Sequence, residues 1–204
     1  MVLLNSLSIS GVKLRRAGPA GIQLNFSGES ICVDVPEPYD CHYALYTHNH
    51  PKHTPKVLPS IPLYSPFAGN KVSPGDNIEI LGGLRVMVTH AYNAGYREEA
   101  RHPKGFGVGY ILFFQDGPVI YYMGDSDLVE ELLLLRETII DVLIAPIGGN
   151  GVMSPEEASE AVKTLRPAIA IPVHEENPYQ AKIFKRLSQP YTQVILLGAE
   201  KNEH

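Results

Sequence analysis

The 204 residues include no tryptophan and only two cysteines, and charged side chains make up just 19%, below the roughly 25% typical of soluble proteins. With Cys32 and Cys41 alone, no disulfide framework can define the fold, and both thiols are expected to be reduced. Cationic excess is lacking too: 17 Lys and Arg stand against 22 Asp and Glu, a formal net charge of -5. That balance argues against a broad nucleic-acid footprint, and the short basic run Lys13, Arg15, Arg16 reads as an exposed strand end. No apolar run approaches the roughly 20 residues of a membrane span. The first residues lack a basic leader and break their apolar run at Asn5, so they read as a strand rather than an export signal. The expectation is a cytoplasmic protein with no membrane partner, nucleic acid disfavoured and homo-oligomerisation left open. Length and the 44% hydrophobic content suit one domain over residues 1–204.

Histidine, in contrast, occurs eight times, and it is both the commonest metal ligand and an acid/base near neutral pH. Where the eight fall depends on the coarse architecture. Short β-branched or alternating runs at Val2 to Ile9, Gly11 to Arg15, Ile22 to Phe26, Ser30 to Val35 and Tyr43 to Tyr46 read as strands. Six prolines between Pro51 and Pro74 remove donors and discourage helix, so that stretch reads as loop. Strands resume at Asn77 to Leu81 and Leu84 to Thr89 around Gly82-Gly83, and at Gly109 to Phe114 and Val119 to Met123 around Asp116-Gly117, both hairpin signals. Residues 91–108 read as an ordered surface loop or lid. Helices are expected at Leu128 to Ile139, from Ser154-Pro155-Glu156-Glu157 to Arg166, and from Asn177-Pro178 to Leu187, the second opened by a capping box with proline at the first helical position. Between and after them, Val142 to Ile147, Ala168 to Val173 and Val194 to Leu197 read as strands. Hairpins first and β-α-β alternation later suggest an α+β fold of packed sheets with helices outside.

Against that architecture, three histidines, His48, His50 and His53, follow a strand at spacings i, i+2 and i+5. Such a turn can aim several imidazoles at one ion, which needs three or four ligands within about 2.0 to 2.2 Å. Asp125 and His174 each end another strand, and the joint occurrence at three strand ends raises each above an ordinary turn aspartate or interior histidine. His42 and His204 need no role beyond surface chemistry.

Thr47-His48-Asn49-His50-Pro51-Lys52-His53 resembles the Thr-His-x-His-x-Asp-His signature of the metallo-β-lactamase superfamily, and Gly124-Asp125-Ser126-Asp127 resembles its bridging-aspartate motif. Ala91-Tyr92-Asn93, His102-Pro103-Lys104-Gly105, Val108-Gly109-Tyr110, and the stretch from Ile147-Gly148-Gly149 to Pro172-Val173-His174 are similar to its ascorbate-6-phosphate-lactonase-like branch. The resemblance implies a four-layer αββα sandwich with one or two transition-metal ions, usually zinc, with Mn2+ or Fe2+ as alternatives. It implies His48 and His50 on a first ion, Asp125 bridging, and His53 and His174 on a second. His102 and His90 compete for the remaining place on the first ion, with His102 favoured by its His-Pro-Lys-Gly setting. Asn93 stands where other relatives carry a histidine, and that slot reads as vacated.

The signature's aspartate is replaced by Lys52, which changes the local formal charge by two units. At an effective dielectric of about 20, unit charges 4 Å apart interact by about 4 kcal/mol, and a dication doubles this. The ammonium can turn to solvent, lose its proton, or prevent the second ion from binding; the last is favoured, giving one ion rather than two. The catalytic candidates are Asp125, Lys52 and His174. The leading expectation is a metal-dependent hydrolase of a small anionic substrate, a phosphodiester or lactone, using a metal-activated water. The alternative is a catalytically inactive metal- or ligand-binding member of the same fold. Glyoxalase II, RNA-processing and antibiotic-hydrolysing relatives are set aside for want of their extra domain, insertion or export signal.

Overall fold

A computed structural model describes residues 3–95 and 101–198 of the chain; His204 and part of the expected lid lie outside these. Two seven-stranded sheets each follow the order of the sequence. The first contains β1 (Leu7–Ile9), β2 (Val12–Arg16), β3 (Ile22–Phe26), β4 (Glu29–Val33), β5 (Tyr43–Leu45), β6 (Leu63–Ser65) and β7 (Asn70–Lys71). The second contains β8 (Asn77–Leu81), β9 (Leu84–Ala91), β10 (Gly107–Phe114), β11 (Val119–Tyr122), β12 (Val142–Pro146), β13 (Ile169–Val173) and β14 (Gln193–Val194). Within each sheet the first four strands form an antiparallel meander and the rest add in parallel. The parallel halves matter for function, because their carboxyl ends all open onto the same edge.

Period-two patterning builds the layers. On β10, Val108, Tyr110, Leu112 and Phe114 enter the core between the sheets with Leu14, Leu24, Ile31 and Val33 of the first sheet. Ile111 and Phe113 of the same strand face the opposite side, against Leu143, Ala158, Val162 and Phe184. That outer layer consists of α1 (Pro155–Leu165), α2 (Pro178–Ser188) and a short 3-10 segment, Glu130–Leu135. Ser154 caps α1 by accepting from the Glu157 amide while the Glu157 carboxylate accepts from the Ser154 amide, and Asn177 and Gln180 repeat the device on α2. The result is the expected α+β sandwich. Its described helices all pack on the second sheet, while small apolar clusters that include Ile61, Phe67 and Ala68 of the proline-rich segment pack on the first.

Several local expectations are corrected. Leu128 to Ile139 does not make an α-helix, because Val129 offers no side-chain cap, Leu132 is the segment's buried residue, and the bonds run i to i+3. The proline-rich loop contributes two short strands, β6 and the edge strand β7. The last strand stops at Val194, with Leu197 joined to Leu4 by an isolated bridge and its side chain buried in the core. Arg16 is buried at 7% exposure and donates two hydrogen bonds to Glu175, at 2.5 and 2.8 Å, so the basic run is not simply an exposed strand end. Cys32 and Cys41 form a disulfide instead of two thiols, their Cα atoms 5.8 Å apart. The chain leaves β4 and re-enters the sheet on its parallel neighbour β5, which returns Cys41 to the side of Cys32. No described helix is long and apolar enough to cross a membrane.

The disulfide closes a loop of about ten residues, for which chain-entropy arguments give roughly 2–3 kcal/mol. Reduction with dithiothreitol, or Cys32→Ser with Cys41→Ser, is expected to lower unfolding stability by about that amount in urea titrations. An unchanged midpoint would show that the crosslink contributes nothing to stability.

Candidate metal centre

The site is assembled on one buried carboxylate at the end of β4. Asp34, fully buried and in the left-handed region at φ 51°, accepts from the Thr47 amide at 2.8 Å, the Thr47 hydroxyl at 2.6 Å and His53 Nδ1 at 2.9 Å. The Tyr122 hydroxyl of β11 lies 3.0 Å from the same carboxylate. The Thr47 hydroxyl donates its hydrogen bond to Asp34, so its oxygen, 3.0 Å from His48 Nδ1, must accept from that ring nitrogen. Both His48 and His53 are thereby held with Nδ1 as donor and Nε2 directed elsewhere. Beyond His48 the chain turns sharply, with the amides of His53 and Thr54 each donating to the His50 carbonyl at 2.9 Å. The turn brings His53 back beside His48, their ring centroids 4.3 Å apart.

Asp125, 5% exposed, is the centre around which the rings gather. Its Oδ2 lies 3.7 Å from His48 Nε2, 3.3 Å from His53 Nε2, 3.6 Å from His102 Nε2 and 3.4 Å from His174 Nε2. Donors around a tetrahedral ion with bonds of 2.0 to 2.2 Å stand about 3.4 Å apart, so the spacing suits ligands around a cation. Ligand atoms of His48, His102 and Asp125 form one group, those of His53, Asp125 and His174 a second, and those of His48, His50 and His53 a third, each within 4.8 Å. The Nε2 atoms of His48 and His53 are buried without a hydrogen-bond partner. Such orphaned atoms are rare in folded proteins, and a bound ion would satisfy both. The residues therefore fit a metal centre of two loci that share Asp125.

The sequence-selected residues fall mostly together. His48, His50, His53, His102, Asp125 and His174 converge, with only His50 exposed. His90 lies instead on β9, paired with Val108 and set edge-on to Tyr92, outside the cluster. Lys52 is exposed and donates its amide to His50 Nδ1 at 3.4 Å; its side chain makes no ion pair among the described residues. His174 reaches the cluster through a left-handed backbone at φ 59°, with its amide donating to Pro19 at 3.0 Å. It also needs Gly148, where a Cβ would meet the His174 carbonyl oxygen at 2.5 Å. Sequence reasoning did not single out Asp34 or give Thr47 a role. The available signal was an acid directly after the apolar stretch Ile31 to Val33, as Asp125 follows the run Val119 to Met123.

The protons are distributed unequally. Burial disfavours charge on His53, yet Asp34 and Asp125 overcome it and raise its pKa to about 10. Burial and the neighbouring His53 cation push His48 down to about 4. Burial disfavours the charge on Asp125, but its contact with His53 and the charges of His53, His174 and His48 hold it well below the usual carboxylate range.

A family model for the β-lactamase superfamily domain matches residues 36–174. A UPF0173 metal-dependent hydrolase of Symbiobacterium thermophilum is 30% identical over 167 residues, covering 72% of this chain and 72% of that protein. Another, from Anaeromyxobacter dehalogenans, is 33% identical over 104 residues, 49% of this chain and 38% of its own length, so the chain spans well under half of that relative. Among solved structures, a candidate metal-dependent hydrolase of Parabacteroides distasonis superposes with a TM-score of 0.83 at 21% identity, covering 96% of this chain and 98% of its own. Igni18, a metallo hydrolase of Ignicoccus hospitalis, gives 0.76 at 22%, over 93% and 96%. The chain belongs to the metallo-β-lactamase superfamily, with UPF0173 proteins among its relatives.

Because His53 carries the proton in the metal-free protein, a cation entering its locus must displace it. Zinc titration by calorimetry at pH 7.5 in two buffers of different ionisation enthalpy is expected to reveal release of about one proton per ion at that locus. Affinity should rise with pH toward about 10. The sign for the metal-free fold is opposite: a raised His53 pKa stabilises fully below 6.5, and that contribution fades as pH rises through about 10. Enthalpies independent of buffer while the ion enters the His53 locus would rule out a protonated His53.

Proposed function

We propose that this chain is a metal-dependent hydrolase of a small anionic substrate, with zinc as the preferred ion and a phosphodiester or lactone as the bond cleaved. The observation that supports it most is the pair of orphaned Nε2 atoms on His48 and His53, aimed with His102 and His174 at one low-pKa carboxylate. When bound, zinc supplies a Lewis acid and lowers the pKa of water toward 7. Asp125 is too acidic to store a proton at neutral pH and acts as a fixed negative charge between the loci. His50, exposed and with its pKa lowered by burial and the His53 charge, presents a neutral ring at the mouth. Phe106, 43% exposed and about 6 Å from the His48 and His102 rings, forms an apolar wall beside it. Lys52 supplies positive charge at the entrance for an anionic substrate, whereas Lys104 is paired with Glu131 at 2.5 Å. The locus of His53, His174 and Asp125 lacks the carboxylate that Lys52 replaces, so one ion binds more tightly than the second.

Zinc-loaded protein is expected to hydrolyse a generic phosphodiester such as bis(p-nitrophenyl) phosphate or a simple lactone, and His48→Ala to lower the rate at least a hundredfold. Lack of turnover on both, with zinc bound, would favour the inactive binding member that the Lys52 replacement also suggests.

For the replacement itself, Lys52→Asp is expected to raise the zinc content from about one to about two ions per chain by plasma mass spectrometry. Lys52→Ala should raise KM for an anionic substrate several-fold with little change in kcat. Unaltered stoichiometry in Lys52→Asp would show that position 52 does not govern the second locus.

A further inference from the structure

Asn93 reads from the sequence as a vacated ligand position, yet it is 3% exposed, and its backbone amide and both side-chain polar atoms are engaged. Its backbone amide donates to the His102 carbonyl at 2.7 Å, and its Oδ1 accepts from the His102 amide at 2.9 Å. Its Nδ2 donates to the Gly151 carbonyl at 2.8 Å and to Asp127 Oδ1 at 3.2 Å. The side-chain amide can be placed only one way, because two acceptors face one end and an N–H faces the other. The same Gly151 carbonyl lies 2.9 Å from His102 Nδ1. A carbonyl cannot donate, so Nδ1 must carry the proton and Nε2 is left as the lone-pair nitrogen facing Asp125. Gly151 also sits at φ 75°, and a Cβ there would meet Arg101 Cδ at 2.8 Å, so glycine permits the close approach.

We propose that Asn93 is the positioning residue of His102, fixing the imidazole's tautomer and direction through the Asn93–Gly151–Asp127 network. The side chain at position 93 thus serves as a bracket that holds a ligand nine residues later. Asp127, fully buried, anchors the bracket by accepting from the Ala94 amide at 3.0 Å as well as from Asn93. Partners of this kind typically change metal affinity by about 10- to 100-fold when removed. The affinity consequence rests on the hydrolase reading given above; the tautomer does not.

Long-range proton–nitrogen NMR on the metal-free full chain at pH 8 is expected to show His102 as the Nδ1–H tautomer. In Asn93→Ala a mixture of tautomers should appear at His102 while the His48 resonances stay in place, which also reports that the variant folds. Zinc competition with a chromophoric chelator should show affinity about 10- to 100-fold weaker in Asn93→Ala, with no added loss when Asn93→Ala is combined with His102→Ala. An Nε2–H tautomer in the unaltered protein overturns the proposal, as does an equal Asn93→Ala penalty in the His102→Ala background. If Asn93→Ala fails to fold, the tautomer of the unaltered protein and the milder Asn93→Ser, expected to show the same mixture, decide it. Should the unaltered protein bind no zinc, the hydrolase reading falls while the tautomer measurement still tests the bracket.

Discussion

The Asp34 carboxylate is the constraint on which the rest of the site depends. Burying an ionisable acid without partners costs several kcal/mol, and here the cost is offset by hydrogen bonds that also align the chemistry. Through Thr47 and His53, Asp34 fixes two imidazoles of the first sheet; through Tyr122 it is tied to the second. One acid therefore sets the orientations of the His48 and His53 rings and adds a polar tie between the sheets whose packing brings His48 and Asp125 together. Substituting it would leave several buried donors unpaired at once.

A second regularity concerns how each ring is held. His48 is held through Thr47, His53 through Asp34 and His102 through the Gly151 carbonyl, always at Nδ1. The Nε2 atoms are thereby the ones presented to Asp125. Imidazoles gathered this closely would repel one another if charged, and the structure resolves the conflict by concentrating the proton on His53, flanked by Asp34 and Asp125. A dication relieves the same conflict more completely, since it replaces a single proton as the positive charge at the centre of the cluster.

Much of the architecture was legible because it rests on local signals. Alternating runs gave most strands of both sheets, and the Ser154 and Asn177 caps gave the starts of α1 and α2. The 3-10 segment was misread because leucine spacing suggests an amphipathic helix, while Leu133 and Leu134 are 55% and 80% exposed and have no core to face. The Cys32–Cys41 disulfide was missed since it depends on the parallel pairing of β4 with β5, which no spacing rule encodes. Arg16 was assigned to the surface because its partner Glu175 lies 159 residues away.

The sequence by itself determined the donor types and their strand-end positions: three histidines on one turn, an aspartate after a glycine, and a histidine closing β13. These are set by residues adjacent in the chain, and short-range patterning reports them. Only the tertiary structure places His102 beside Asp125 and His90 on β9 outside the cluster, because both lie near β10 in the chain and their neighbours depend on how the sheet edge is assembled. It also decided what Asn93 and Asp34 do, neither of which shows its partners in its own neighbourhood. The physical reason is the same in each case: hydrogen bonds that orient a ring join strands distant in sequence, and their geometry exists only once the two sheets have packed.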